Sequence, residues 1–296
     1  MVSRTSHAPR PAGKIRIPDA ALKCRHITVS VPLPETASSE PILTTRRDSI
    51  AVVVLNNPAR LNALTIAMWA RLGAVMRELD RDDTLRAVVL RGAGGQSFAA
   101  GADISEFRTA RANSAQAKTY GATIDDTMQA VARCRHPTVA LIQGACIGGG
   151  LEIAAMCDIR ICGTSSRFGV PVNRLGLTMG FGELQGVLAV AGRAVTLELL
   201  LEGRIFDAAE ACGKGLVNRV VPDAEVEREA FATAERIAAG APLVARWHKQ
   251  FIERLTTRAN VSPEEWEEAF ACFDTEDFRE GLDAFIGKRK PRFAGN

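Results

Sequence analysis

From about residue 42 onward, short β-branched runs alternate with stretches of helical periodicity. Residues 49–55 read Ser-Ile-Ala-Val-Val-Val-Leu, an apolar run long enough for a buried strand. Asn56-Asn57-Pro58 stops it. Thr65 then caps a predicted helix in which Ile66, Trp69, Leu72, Val75, Met76 and Leu79 recur at helical spacing. Residues 85–90 are the next strand, and Gly92-Ala-Gly-Gly95 follows it. Asp103 and Glu106 have capping-box spacing and predict a helix start. A helix over about 115–134, buried through Ile124, Met128 and Val131, precedes an apolar strand at 139–142.

The later pattern changes character. Residues 158–162 form a short strand, and 167–171 lead into a loop containing Gly176, Gly180 and Gly182. Glu183 opens a helix to about Ala191, and 198–201 are helical up to Gly203. Asp207 and Glu210 give a second capping-box start, and 216–221 a last strand-like run. From Asp223 the pattern is all helix, with Pro242 as a first helical residue and Ser262-Pro-Glu-Glu265 as a start signal. These patterns predict an α/β body over 41–222 and an all-helical region over 223–296. Residues 1–40 differ. Pro9, Pro11, Pro18, Pro32 and Pro34 break any long helix, and a mobile or surface-draped extension is expected, with 26–31 as one possible extra strand.

Composition narrows the class. The 296 residues are 47% hydrophobic and 24% charged, which is ordinary for a soluble globular protein. A net charge of +3 gives no argument for nucleic acid or an anionic membrane surface as partner. The seven cysteines form no C-x-x-C pair and read as reduced, mostly buried thiols of a cytoplasmic protein. The four histidines lack i, i+4 spacing, so no metal site is expected.

The candidate chemistry centres on Gly144-Ala-Cys-Ile-Gly-Gly-Gly-Leu-Glu152, read as strand, glycine turn and helix start. Glycines leave the backbone bare of Cβ atoms, and the first N–H groups of a helix have no internal partner and favour negative charge. Glu152 adds an acid or base within one turn. A structural turn with Glu152 as a favourable N-terminal charge accounts for the stretch equally well. In Ser97-Phe-Ala-Ala-Gly-Ala-Asp103 small residues again permit close backbone approach, and Asp103 reads as a cap.

Taken together, these stretches resemble the crotonase family, also called enoyl-CoA hydratase/isomerase. The resemblance covers about residues 41–293. It rests on Asn56-x-Pro58-x-x-x-Asn62-Ala-Leu64, Phe98-Ala-Ala-Gly-Ala-Asp103, Gly148-Gly-Gly-x-Glu152, Cys157-Asp158 with Phe168-Gly169, Ala211-x-x-x-Gly215-Leu-Val217 and Ala284-Phe285-x-x-Lys288-Arg289. It implies a spiral of ββα units followed by a C-terminal helical region that mediates trimers, often paired into hexamers. It implies an acyl-CoA thioester substrate and no metal or organic cofactor, coenzyme A being part of the substrate.

The resemblance also implies site roles. The N–H groups of Ala102 and Gly149 would hold the thioester oxygen, with Ala100, Asp103 and Ile104 along the substrate. Arg60, Phe285 and Lys288 sit where members place phosphate- and adenine-facing groups, although each also suits a surface charge or a packing aromatic. Glu152 matches the first of two catalytic glutamates. The second would follow Pro171, where this chain has Val172 and then Asn173. Valine cannot transfer a proton. Glu183 is the nearest replacement, and it also reads as an N-terminal helix charge. The expectation is an enoyl-CoA hydratase with Glu152 as its main acid–base residue. The alternatives are isomerisation, decarboxylation or thioester hydrolysis on the same scaffold, or an acyl-CoA-binding protein without catalysis.

Overall fold

The structure, a computed structural model, describes residues 39–257 and 260–296. The strand expected over 26–31, and all but the last two residues of the expected extension, lie outside the described residues. A hairpin opens the fold: β1 (Ile42–Arg47) pairs antiparallel with β2 (Ile50–Leu55). Helix α1 (Ile66–Asp80) leads to β3 (Ala87–Gly92) and β4 (Ser97–Ala99). A short α2 (Phe107–Ala110) precedes the long α3 (Ser114–Ala132). Strands β5 (Thr138–Ile142) and β6 (Ala145–Ile147) feed α4 (Gly149–Met156). Strands β7 (Ile159–Gly163) and β8 (Arg167–Gly169) precede α5 (Phe181–Glu202). Then come β9 (Phe206–Asp207), α6 (Ala208–Gly213) and β10 (Arg219–Val221). The chain ends in α7 (Val226–Ala238), α8 (Pro242–Thr257), α9 (Pro263–Glu268) and α10 (Glu276–Ile286).

Two sheets form, in the orders β1-β2-β3-β5-β7-β10 and β4-β6-β8-β9. Pairing is parallel throughout except at β1–β2 and β8–β9. Each pass of the chain gives one strand to each sheet, β3 then β4, β5 then β6, β7 then β8. This is the spiral of ββα units, a crotonase-type α/β fold. The unbroken apolar run of β2 has a direct cause, because both faces of its sheet are covered. Ala51, Val53 and Leu55 pack into one core with Trp69, Leu72 and Met76. Ile50, Val52 and Val54 meet Val226, Ala230 and Phe231 on the other side. Helix α7, the first beyond residue 222, thus roofs the large sheet.

Several expectations are corrected in detail. Gly144 does not turn into a helix. It carries the chain from β5 in one sheet to β6 in the other, and the helix starts only at Gly149. A Cβ at Gly144 would lie 1.8 Å from the Gln96 carbonyl oxygen, and its φ is +63°. Asp103 caps a 3-10 turn, Ile104–Glu106, through the Ser105 N–H. Glu106 does not complete that box; it accepts from the Ile66 N–H at 2.9 Å and so caps α1 instead. Asp207 likewise accepts from the Glu210 N–H, but the Glu210 carboxylate turns to Arg204. Helix α5 is long and apolar enough to cross a membrane by length and composition. Gly192, with φ 70° and ψ 171°, breaks it into two. The six described cysteines are free thiols, with Cys134, Cys146, Cys157 and Cys162 buried.

Candidate active site

Two segments converge on one cavity, and a buried asparagine sets the first of them. Asn62 adopts φ 57° and is fully buried. Its amide donates to the carbonyls of Ala93 (3.0 Å) and Ser97 (2.8 Å), and its oxygen accepts from the Asn57 N–H. That clamps the 57–64 turn beside β4. Backbone bonds then run from Ala100 N to Leu61 O, from Leu64 N to Gly101 O and from Asp103 N to Leu64 O. The Ala102 N–H falls between these and donates to no acceptor among the described residues.

The second segment is the start of α4. Gly148, at φ 50° and ψ −121°, takes a conformation closed to side-chain-bearing residues. The bareness of Gly149 and Gly150 serves the protein's own packing. A Cβ on Gly149 would come 2.8 Å from the Trp69 ring, and one on Gly150 2.4 Å from the Ala99 carbonyl oxygen. The helix start is thereby pressed against β4 and α1. The Gly149 N–H, at the first helical position, also has no acceptor among the described residues.

Both N–H groups border a cavity of about 130 Å³. Of the residues expected from the sequence, Ala100, Ala102, Ile104, Gly149, Glu152 and Glu183 line it. Arg60, Asp103, Phe285 and Lys288 do not. Arg60 spends its guanidinium on Asp103 (2.6 Å) and Ser105. Ser105, whose hydroxyl and backbone N–H both donate to Asp103, holds that carboxyl below its usual range, with help from Arg60. Asp103 is therefore a cap and anchor of the loop. Phe285 lies on α10 and is 84% exposed, and Lys288 follows just after that helix.

Glu152 is 4% exposed and its carboxyl has no hydrogen-bond partner among the described residues. Burial raises its pKa well above the usual carboxylate range, the Glu183 charge raises it further, and Arg111 acts the other way. Glu183 caps its own helix, accepting from the Gly180 N–H, and lines the cavity at the same time. The structural and the chemical readings of this residue thus coexist. Val172 stands in the cavity wall at the position where a second glutamate was expected. Among the described residues no group of three His, Cys, Asp or Glu could hold a metal ion.

Sequence reading passed over Arg111, which also lines the cavity. Residue order gave little signal for it, because Arg111 lies just past the end of the short α2 and reaches the cavity through the turn there.

Two unpartnered N–H donors facing two carboxylates, on a spiral of ββα units, define a crotonase-fold protein. The family model described as Enoyl-CoA hydratase/isomerase matches residues 45–296, and the chain belongs to that family. It is 36% identical over 251 residues to the short-chain-enoyl-CoA hydratase of Clostridium acetobutylicum, covering 84% of this chain and 95% of that one. A probable enoyl-CoA hydratase of Mycobacterium bovis is 37% identical over 256 residues, covering 86% and 98%. Among solved structures, an enoyl-CoA hydratase/carnithine racemase from Magnetospirillum magneticum superposes with a TM-score of 0.86 at 49% identity, covering 88% and 97%.

Proposed function

We propose that this enzyme hydrates a 2-enoyl-CoA, with the thioester oxygen held by the Ala102 and Gly149 N–H groups. The observation that carries the reading is the meeting of those two free donors with Glu152 and Glu183 around one cavity. An enoyl thioester bound there has its carbonyl oxygen between the donors. As hydroxide character adds to the β-carbon, charge moves onto that oxygen, and preorganised donors stabilise the enolate. A water between the carboxyls gives its proton to one of them and its oxygen to the β-carbon. The other carboxyl delivers a proton to the α-carbon, so the substrate gains one H₂O in all.

The environments assign the two roles. Glu152, buried and raised in pKa, keeps a proton and serves as acid. Glu183, which accepts from the Gly180 N–H at the start of its helix, is left with the role of base toward the water. Glu183 thereby takes the place that Val172 leaves empty. These are proton transfers only, so the reading calls for no metal or organic cofactor. Arg60, Phe285 and Lys288 remain proposed contacts to the nucleotide part of coenzyme A. Exposed apolar side chains on α8 to α10, among them Leu255, Trp266, Phe285 and Ile286, support a homotrimer or a hexamer.

A second reading, double-bond isomerisation, is favoured by Val172 and by the bond that ties Glu183 to Gly180. Mass spectrometry of crotonyl-CoA incubated in D₂O separates them. Hydration gives a gain of D₂O with one carbon-bound deuterium. Glu152→Gln should abolish this while keeping binding, and Glu183→Gln should lower it by about 10²–10⁴-fold. Full hydration by the Glu183 variant would defeat the two-carboxylate mechanism. Deuterium exchange without water gain would favour isomerisation.

A further inference from the structure

Arg111 is the one cationic side chain lining the cavity among the described residues. Its guanidinium carbon lies over two aromatic rings, 4.7 Å from the Phe107 centroid and 4.9 Å from that of Tyr120. Neither an ion pair nor a side-chain hydrogen bond satisfies it among the described residues. Other arginines around the fold behave differently: Arg60 reaches Asp103 and Arg77 reaches Asp126. Tyr120, the ring beneath, is 3% exposed and its hydroxyl has no partner among the described residues, so it is held by packing. Two rings therefore fix the position of a cation while leaving its N–H donors uncommitted.

This is an unusual lining for a pocket meant to hold hydrocarbon. Filling the cavity with an alkyl chain would remove water from Arg111 and offer nothing in return. Neither acid forms an ion pair with it within 4 Å, and Arg111 acts on Glu152 only through space. A carboxylate carried on the acyl group would compensate it, through paired charge-assisted N–H···O bonds. Pairing with Arg111 would also fix the orientation of the chain in the cavity. Cavity size adds a limit. The enclosed space is about 130 Å³, walled by Trp69, Ile124, Val172 and Met179, which suits a short acyl group.

We infer that Arg111 is the docking point for a carboxylate on the acyl chain, and that the preferred substrates are short acyl-CoA thioesters bearing a negative group remote from the thioester. The inference rests on the proposed acyl-CoA site and names its substrate class.

The test uses saturated thioesters, which cannot be hydrated, so that recognition is read apart from reaction. Glutaryl-CoA and pentanoyl-CoA are titrated calorimetrically into the full chain, the Arg111→Met variant and the Arg111→Lys variant. The wild-type protein should bind glutaryl-CoA tighter by about tenfold or more, the scale of one charge-assisted hydrogen bond. Arg111→Met should erase that ratio, and Arg111→Lys should keep part of it. Equal affinities in the wild type, or a ratio that survives Arg111→Met, would overturn the inference. If the ratio holds but 4-carboxybut-2-enoyl-CoA and crotonyl-CoA are both left unchanged by the wild type, hydration fails and the carboxylate subsite stands. If neither saturated thioester binds, both fall.

Discussion

At the level of single residues, Glu152 shows how a site opposes stability. Its folded pKa lies above the unfolded value near 4.5. Between those two values the native state holds more protons than the unfolded chain. Stability therefore falls as pH rises through that window, by about 1.4 kcal/mol per pH unit for this one group. Glu152→Gln should be more stable than the wild type above pH 5, with a difference that grows with pH and then levels. Denaturant melts across pH measure this, and a constant difference would refute it. Asn62 shows the reverse case, a polar residue whose burial is fully matched. Asn62→Ala forfeits the bonds to Ala93 and Ser97, orphans both carbonyls and forces alanine to a positive φ. A loss of about 2–4 kcal/mol is expected, with kcat falling as well because Ala102 loses its frame. The Asn-Ala-Leu motif is visible in the sequence, but its partners lie some 30 residues away and only the fold reveals them.

At the level of elements, α4 is positioned by glycines that cannot be replaced. Gly150→Ala would put a Cβ 2.4 Å from the Ala99 carbonyl oxygen, a backbone atom that cannot step aside. The start of α4 would have to lift from β4, carrying the Gly149 N–H and Glu152 with it. Turnover of an enoyl-CoA should fall by about two orders of magnitude or more, as displacements near 1 Å do. Gly121→Ala is the matched control. This glycine lies inside α3 with nothing among the described residues within 4 Å of the added methyl, so the helix should gain about 0.5–1 kcal/mol. A Gly150 variant with wild-type kinetics would show that α4 is not pinned this way. The sequence located α4 and its glycines, yet assigned their bareness to ligand approach, because a clash with β4 is a tertiary fact.

At the level of the whole molecule, the monomer leaves large apolar side chains in water along its C-terminal helices. Sedimentation equilibrium should report a trimer or hexamer, and a stable monomer at micromolar concentration would oppose the assembly proposed above. The fold also contains an acid-sensitive point. His136 is fully buried, and neither ring nitrogen makes a well-formed hydrogen bond among the described residues. Burial first, then Arg246 and Arg135, lower its pKa to about 4. The unfolded chain, near 6.5, binds the proton more readily, so stability is lost as pH falls from 6.5 towards 4. His136→Gln should flatten the stability profile in that window, and an unchanged slope would assign the acid loss elsewhere.

Residue order alone did not make the second sheet, β4-β6-β8-β9, legible, but it carried the strands of the large sheet from β2 on, the main helices and the family resemblance, and it marked Glu152 as a candidate and Val172 as a missing carboxyl. Those features are local, or are carried by motifs whose residues stand close along the chain. It took the folded chain to show that Glu183 and Glu152 line one cavity, that Arg60 is occupied by Asp103, and that Arg111 lines the same cavity with no ion pair among the described residues. Each of these depends on which loops the two sheets bring together, and on the water that packing removes. Neither distance nor burial is written in residue order.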